Sequence, residues 1–136
     1  MSTISPEHAL IYVMVTMSAV DSAMSDNELR TIGEIVQHLP AFRNFDADRL
    51  IPVAKECASI LQEDGGLDAV FGLVSDALPS HLRETGYAVA VEIASVDLPV
   101  RQEEVRLLQL LRDALSLDKL VAAAIERGAR ARFMTL

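Results

Sequence analysis

Two segments of this chain are apolar on nearly every side, and they limit what the rest can form around them. They read ALIYVMVTMSAV from residue 9 and YAVAVEIASV from residue 87. A helix that lacks a polar face is stable in water only when other elements cover it on all sides. The first segment is also too short to cross a bilayer, which takes about 20 apolar residues. The two segments therefore predict the two central helices of a bundle.

Apolar residues at three- and four-residue spacing predict helices in most of the remaining chain. Ser5 before Pro6, Asp46 and Ser116 are predicted helix caps, and Pro40 is a predicted stop. No stretch shows the alternation of a strand, so we expect a single all-α domain over residues 1–136. Its seven predicted helices cover about 5–23, 25–39, 46–61, 67–78, 80–96, 100–115 and 117–132.

The two apolar segments are followed by similar sequences at an offset of 76 residues. Asp21 corresponds to Asp97 and Glu28 to Glu104, so that the same spacing separates the two acids in both copies. We interpret this as a duplicated helical hairpin, over about residues 5–39 and 80–115, and expect a pseudo-twofold relation between the copies.

The matching stretches read SAVDSAMSDNELRTIGEIV and ASVDLPVRQEEVRLLQLLRDALSLD. They resemble the tellurite-resistance TerB family, whose fold also occurs in the N-terminal region of a DnaJ-type co-chaperone. The resemblance implies a helical domain that is tied to stress and to metal or metalloid resistance and acts through partners, without an established enzymatic activity. The family pattern has Gly after each Asp, where this chain has Ser22 and Leu98. Since glycine allows close approach of a ligand to the backbone, this departure weakens the expectation of a ligand site.

The acidic residues of the two hairpins are the candidates for a binding site. Under a pseudo-twofold relation the carboxylates would gather near one end of the bundle, and hard cations such as Ca²⁺ and Mg²⁺ prefer oxygen ligands. The candidate metal ligands are Asp21, Glu28, Asp97 and Glu104, with Asp26, Glu92 and Glu103 as supplementary acids.

Helix capping is the competing explanation for the same acids. Ser25 and Glu28 have the spacing of a capping box, and acids in a first helical turn also favour the helix dipole. Arg101 holds the corresponding cap position before Glu104, where capping explains the acid less well. The loop is not an EF-hand, because Ile32 stands where that motif requires Glu.

Composition excludes several classes of function. The net charge of −8 argues against nucleic acid and anionic membranes as partners. The single cysteine, Cys57, excludes a disulfide framework, and the start of the chain does not resemble a signal peptide, so a cytoplasmic protein is expected. No phosphate-binding loop or catalytic triad spacing is present, which predicts a protein that is not an enzyme.

Two functional hypotheses follow. The first is a TerB-like stress-resistance domain that binds a divalent cation, and the second is a metal-free protein-interaction module of the same fold. For the second, Arg127, Arg130 and Arg132 form a basic strip that would dock an acidic protein partner or a second copy, unless they only complement the helix dipole. The mean hydropathy of +0.27 favours a homodimer.

Overall fold

The computed structural model describes residues 4–19, 26–96 and 100–136. Within these ranges the chain forms seven α-helices and two short 3₁₀ turns, with no β-strand, which confirms the predicted all-α class. No helix in the described part is long and apolar enough to cross a membrane. The helices are α1 (Pro6–Ala19), α2 (Asp26–His38), α3 (Leu50–Leu61), α4 (Gly66–Ala77), α5 (Ser80–Ser95), α6 (Gln102–Ala114) and α7 (Lys119–Arg132).

Helix α1 lies in the centre of the bundle. The Ser5 hydroxyl oxygen accepts a hydrogen bond from the His8 backbone N–H at 3.1 Å, so the predicted cap starts the helix. Every residue from Ala9 to Ser18 is then buried, because α3, α4 and α5 pack around it. Helix α1 has no polar face in its sequence because none of its sides between Ala9 and Ser18 faces solvent.

Helix α5 is the second central element and packs against α1, α2, α6 and α7. It approaches the chain before it closely at Gly86, where a Cβ atom would stand 2.9 Å from Leu78 Cδ1. Burial is less complete than in α1, since Ala88 and Glu92 stay partly exposed. One side of α5 therefore remains reachable from the surface.

The 76-residue offset holds for helix boundaries as well as for sequence. Adding 76 to the bounds of α2 gives those of α6, and the last residue of α1, Ala19, corresponds to Ser95 at the end of α5. The helix that follows each hairpin is also placed similarly, because α3 packs on α1 and α7 packs on α5.

Two aromatic side chains cover the bundle after α2. A 3₁₀ turn at Pro40–Phe42 follows the helix, and Phe42 is buried while Phe45 is half-buried. Their rings meet edge to face with centroids 5.6 Å apart, and Phe45 also contacts the His8 ring. The two phenylalanines thus close over the core.

The end of α6 differs from the sequence prediction, because Ser116 does not cap α7. It adopts a left-handed conformation with φ of 55°. Its N–H donates to the Asp113 carbonyl oxygen, and the Leu117 N–H donates to the Arg112 carbonyl oxygen, each at 3.1 Å. These two bonds form a Schellman motif, which turns the chain after α6. Asp118, two residues later, is the N-cap of α7.

Candidate functional site

Two acids occupy equivalent, buried positions in the first turns of α2 and α6. Glu28 is 7% exposed and Glu104 is 5% exposed, which is unusual for carboxylates. Glu104 Oε1 accepts a hydrogen bond from the Arg101 backbone N–H at 3.2 Å, so it serves as one half of a capping box. An arginine side chain cannot accept the reciprocal bond. Capping therefore accounts for one interaction of Glu104.

The other predicted acids are in different situations. Asp21 and Asp97 lie outside the described residues. Asp26 and Glu103 are exposed at the starts of α2 and α6. Glu103 lines a surface depression together with Ala19, so the end of α1 and the start of α6 are neighbours. The described supplementary acids at the hairpin turns thus face solvent.

Glu92 differs from these acids because it has an ion-pair partner of its own. Its side chain is half-buried, and Oε1 forms an ion pair with Arg132 Nη1 at 3.3 Å. Arg132 also lies over the Phe133 ring, 5.5 Å from its centroid. Glu92 lies on the partly exposed side of α5, which is otherwise mostly buried. Glu92 therefore ties α5 to the end of α7.

Among residues 4–19, 26–96 and 100–136, no three His, Cys, Asp or Glu side chains are grouped so that they could hold a metal ion. Buried side-chain nitrogen and oxygen atoms in the same ranges all have hydrogen-bond partners. The described acids by themselves do not form a metal centre, and the two aspartates at the turns would have to complete one.

A groove of about 730 Å³ opens between α6 and α7, with α5 as its floor. We call it the α6–α7 groove. Most of its lining is apolar, and its charged side chains come from the last turns of α6 and from α7. Its lining includes Tyr87, Val91, Ala94, Val105, Leu108, Arg112, Glu126, Arg130 and Met134.

A short hydrogen bond from the Tyr87 hydroxyl to Glu126 Oε2 lies in the lining of this groove. Burial, followed by the Glu126 carboxylate, raises the pKa of the Tyr87 phenol, and the positive charge of Arg112 opposes that rise. The phenol therefore stays protonated and donating. Arg112 is close enough to the phenol for its charge to act on it.

A second polar cluster joins α1 to α3, and it extends from the buried Cys57 to the exposed Glu56. The Cys57 thiol donates to the Tyr12 carbonyl oxygen at 3.6 Å and lies 3.7 Å from Thr16 Oγ1. The Tyr12 hydroxyl donates to Glu56 Oε1 at 3.3 Å. Burial raises the pKa of Cys57 to about 11 and that of Tyr12 to about 12. A thiol held neutral and inaccessible is unsuited to nucleophilic chemistry.

Sequence reasoning did not find the α6–α7 groove. The sequence pattern that bears on this groove lies in the last helix, where the three arginines are interpreted as one basic strip. The structure divides them, because Arg130 lines the groove whereas Arg132 is engaged by Glu92. Arg112, on another helix, could not be assigned to the same place without the tertiary fold.

Comparison with known proteins supports the resemblance in the hairpin sequences. The family model described as tellurite resistance protein TerB matches residues 7–127, which is most of the chain. The matched span includes both hairpins and the helices between them. Searches of curated proteins and of solved structures found no match.

Proposed function

Because the chain belongs to the TerB family of tellurite resistance proteins, we propose that it acts in tellurite or related stress resistance as a non-catalytic binding domain. The ligand in this proposal is a divalent cation, Ca²⁺ or Mg²⁺, bound at the two acidic hairpin turns. Glu28 and Glu104 would contribute, together with Asp21 and Asp97.

The observation that carries this proposal is the paired burial of Glu28 and Glu104. Two carboxylates at the same position of two similar helices are withdrawn from water, although a carboxylate is costly to bury without compensation. Both acids have partners within the protein, and a cation would add to that compensation. For Glu104 one such partner is the Arg101 N–H, which donates to its Oε1.

The test is thermal unfolding of chelated protein, followed by titration with Ca²⁺ or Mg²⁺. A cation that binds the folded state at a hundred times its Kd adds about 2.7 kcal/mol to the free energy of unfolding. We expect Tm to rise in the wild type and to stay constant in the double variant Glu28→Gln/Glu104→Gln. Glutamine keeps the carbonyl acceptor needed for capping but removes the charge.

The matched control is Asp68→Asn/Asp76→Asn on α4, which makes the same change in net charge at two exposed acids. Its response to the cation should equal that of the wild type. A rise in Tm that survives Glu28→Gln/Glu104→Gln would move the site elsewhere. No rise with either ion at millimolar concentration would refute cation binding.

The second candidate is a metal-free protein-interaction module. It is favoured by the outward face of α7, where Leu120 is 77% exposed beside Ala123, Ala124 and Arg127. Leu120 is a large apolar side chain left in water, and the neighbouring Arg127 is of a residue type that is enriched among the residues that dominate interface energies. This face would take an acidic protein partner or a second copy of the chain.

Sedimentation of the wild type and of Leu120→Glu tests self-association at this face. We expect Leu120→Glu to shift a dimer to monomer, and Ile51→Glu, at an exposed apolar residue of α3, to leave it unchanged. A wild type that is monomeric at high concentration, or a dimer that survives Leu120→Glu, would contradict a homodimer through α7.

A further inference from the structure

We propose that the α6–α7 groove binds a small amphipathic anion, a medium-chain carboxylate, with its apolar body on α5 and α6 and its carboxylate between Arg112 and Arg130. This proposal goes beyond the proposed cation site, which is formed by acidic residues at the hairpin turns and binds a ligand of the opposite charge. The groove volume of about 730 Å³ lies within the range of small-molecule sites.

The apolar part of the groove is built for an aliphatic body. Val91 and Ala94 of α5 form the floor, and Val105 and Leu108 of α6 form a wall. Val105 is 44% exposed although it is apolar and faces this concave surface. Covering such a surface is favourable by about 25 cal/mol per Å² of apolar area removed from water.

The polar part has an excess of positive charge. Arg112 is half-buried, and within the part of the chain that the structure describes neither Arg112 nor Arg130 has a carboxylate oxygen within 4 Å. Glu126, the acid in the lining, is engaged by the Tyr87 hydroxyl. Among the lining residues that the structure describes, two arginines and one carboxylate give a charge of +1, on a chain whose net charge is −8.

This combination selects the class of ligand. A guanidinium binds a carboxylate through paired hydrogen bonds, and it does so more strongly where water is partly excluded. A cationic amphiphile would be repelled by the arginines, and a neutral alcohol would use the apolar wall but not the charge. A carboxylate with an aliphatic tail satisfies both parts of the groove.

The experiment is calorimetric titration of the full chain, in EDTA, with decanoate and decyltrimethylammonium below their critical micellar concentrations and with decan-1-ol below its solubility limit. Keeping divalent cations chelated separates this test from that of the cation site. We expect decanoate to bind at least about tenfold more tightly than decan-1-ol, which corresponds to about 1.4 kcal/mol. The cationic amphiphile should show no binding.

Two variants and one matched control locate the ligand. Arg112→Gln should weaken decanoate binding at least fivefold, and Val105→Glu, which places a negative charge in the groove, at least tenfold. Leu29→Glu is the control, because Leu29 is the 76-residue counterpart of Val105 and is 49% exposed. It makes the same charge change on the surface of α2 and should alter the affinity less than twofold.

Two outcomes would overturn the proposal. Equal affinity for decanoate and decan-1-ol would show that the arginines do not bind the carboxylate of the ligand. Wild-type affinity in both Arg112→Gln and Val105→Glu would show that the ligand binds elsewhere or not at all. Both substituted side chains are at least partly exposed, and thermal unfolding of each variant confirms that it is folded before titration.

Discussion

The buried thiol of Cys57 predicts a specific loss of stability at high pH. The side chain is 0% exposed, and burial raises its pKa from the ordinary value of 9.0 to about 11. The folded state therefore resists losing this proton more than the unfolded chain does. The resulting stabilisation is complete below pH 9 and is lost as the pH rises from 9 through 11.

The size of the loss follows from the two pKa values. A shift of one pKa unit corresponds to 1.36 kcal/mol, so two units give a limiting loss of roughly 2.7 kcal/mol. Between pH 8 and pH 10 only part of the titration is covered. With the folded value near 11 and the unfolded value near 9, that part is about 1.3 kcal/mol.

Cys57→Ala isolates this contribution from other titrating groups. Alanine leaves a small cavity, but the penalty is the same at both pH values and cancels in the difference. The raised pKa values of Tyr12 and Tyr87 act in both proteins and cancel as well. Urea unfolding at pH 8 and pH 10, in a reducing buffer, gives the free energy of unfolding for each protein.

We expect the wild type to lose about 1.3 kcal/mol more than Cys57→Ala between the two pH values. Equal losses, within about 0.3 kcal/mol, would show that the thiol ionises as readily in the folded as in the unfolded chain. A larger loss in Cys57→Ala would reverse the sign and refute the reasoning. Equal losses would mean that the junction of α1 and α3 is open to water, and the reversed sign would mean that the folded protein stabilises the thiolate.

Four further substitutions test local features of the fold by denaturant unfolding. Gly66→Ala should destabilise by about 1–3 kcal/mol or more, because its Cβ would stand 2.2 Å from a backbone carbonyl oxygen of α3. The control Gly72→Ala, whose Cβ would have nothing within 4 Å, should stabilise by about 0.5–1 kcal/mol. A Gly66→Ala variant of unchanged stability would contradict this packing. Ser116→Gly should stabilise by about 1 kcal/mol by relieving the left-handed conformation, and a loss of stability would argue against it. Tyr87→Phe should destabilise by about 1 kcal/mol through loss of the bond to Glu126, and an unchanged stability would show that water replaces it.

The parts of the fold that sequence predicts are those set by local chemistry. Helix α1 was predicted as central because no polar face exists between Ala9 and Ser18, and each of those residues is buried. Ser5 and Pro40 mark helix limits through side-chain capping and the missing N–H, which depend on few neighbours. Such features are encoded within a short span and can be predicted from it.

Ser116 shows where local reasoning gives the wrong result. A serine before a helical pattern is a good N-cap, but the same residue also follows α6, and the chain must reverse there. The turn needs a left-handed residue, and the bond from the Leu117 N–H to the Arg112 carbonyl stabilises it. Two local signals competed for one position, and the tertiary arrangement of α6 and α7 decided between them.

The counterpart positions Thr16 and Glu92 show how two similar helices come to differ. Thr16 is buried beside Cys57 of α3, whereas Glu92 is partly exposed and paired with Arg132 of α7. A polar residue in an apolar helix is thus either enclosed or brought to the surface, depending on which helix covers it. The sequence shows that each residue is polar, but the covering helix belongs to another part of the chain.

The same offset explains why a groove lies beside α6. Leu108 and Arg112 line it and are only half-buried, while their counterparts Ile32 and Val36 in α2 are buried in the core. An arginine cannot be enclosed as a valine can without a partner for its charge, so the second copy stays open where the first is closed. The first hairpin therefore contributes mainly to the core, whereas the second keeps a charged, apolar-walled surface. Substitutions at 76-residue counterparts are for this reason the most informative controls, because they change the same helix position with and without the groove.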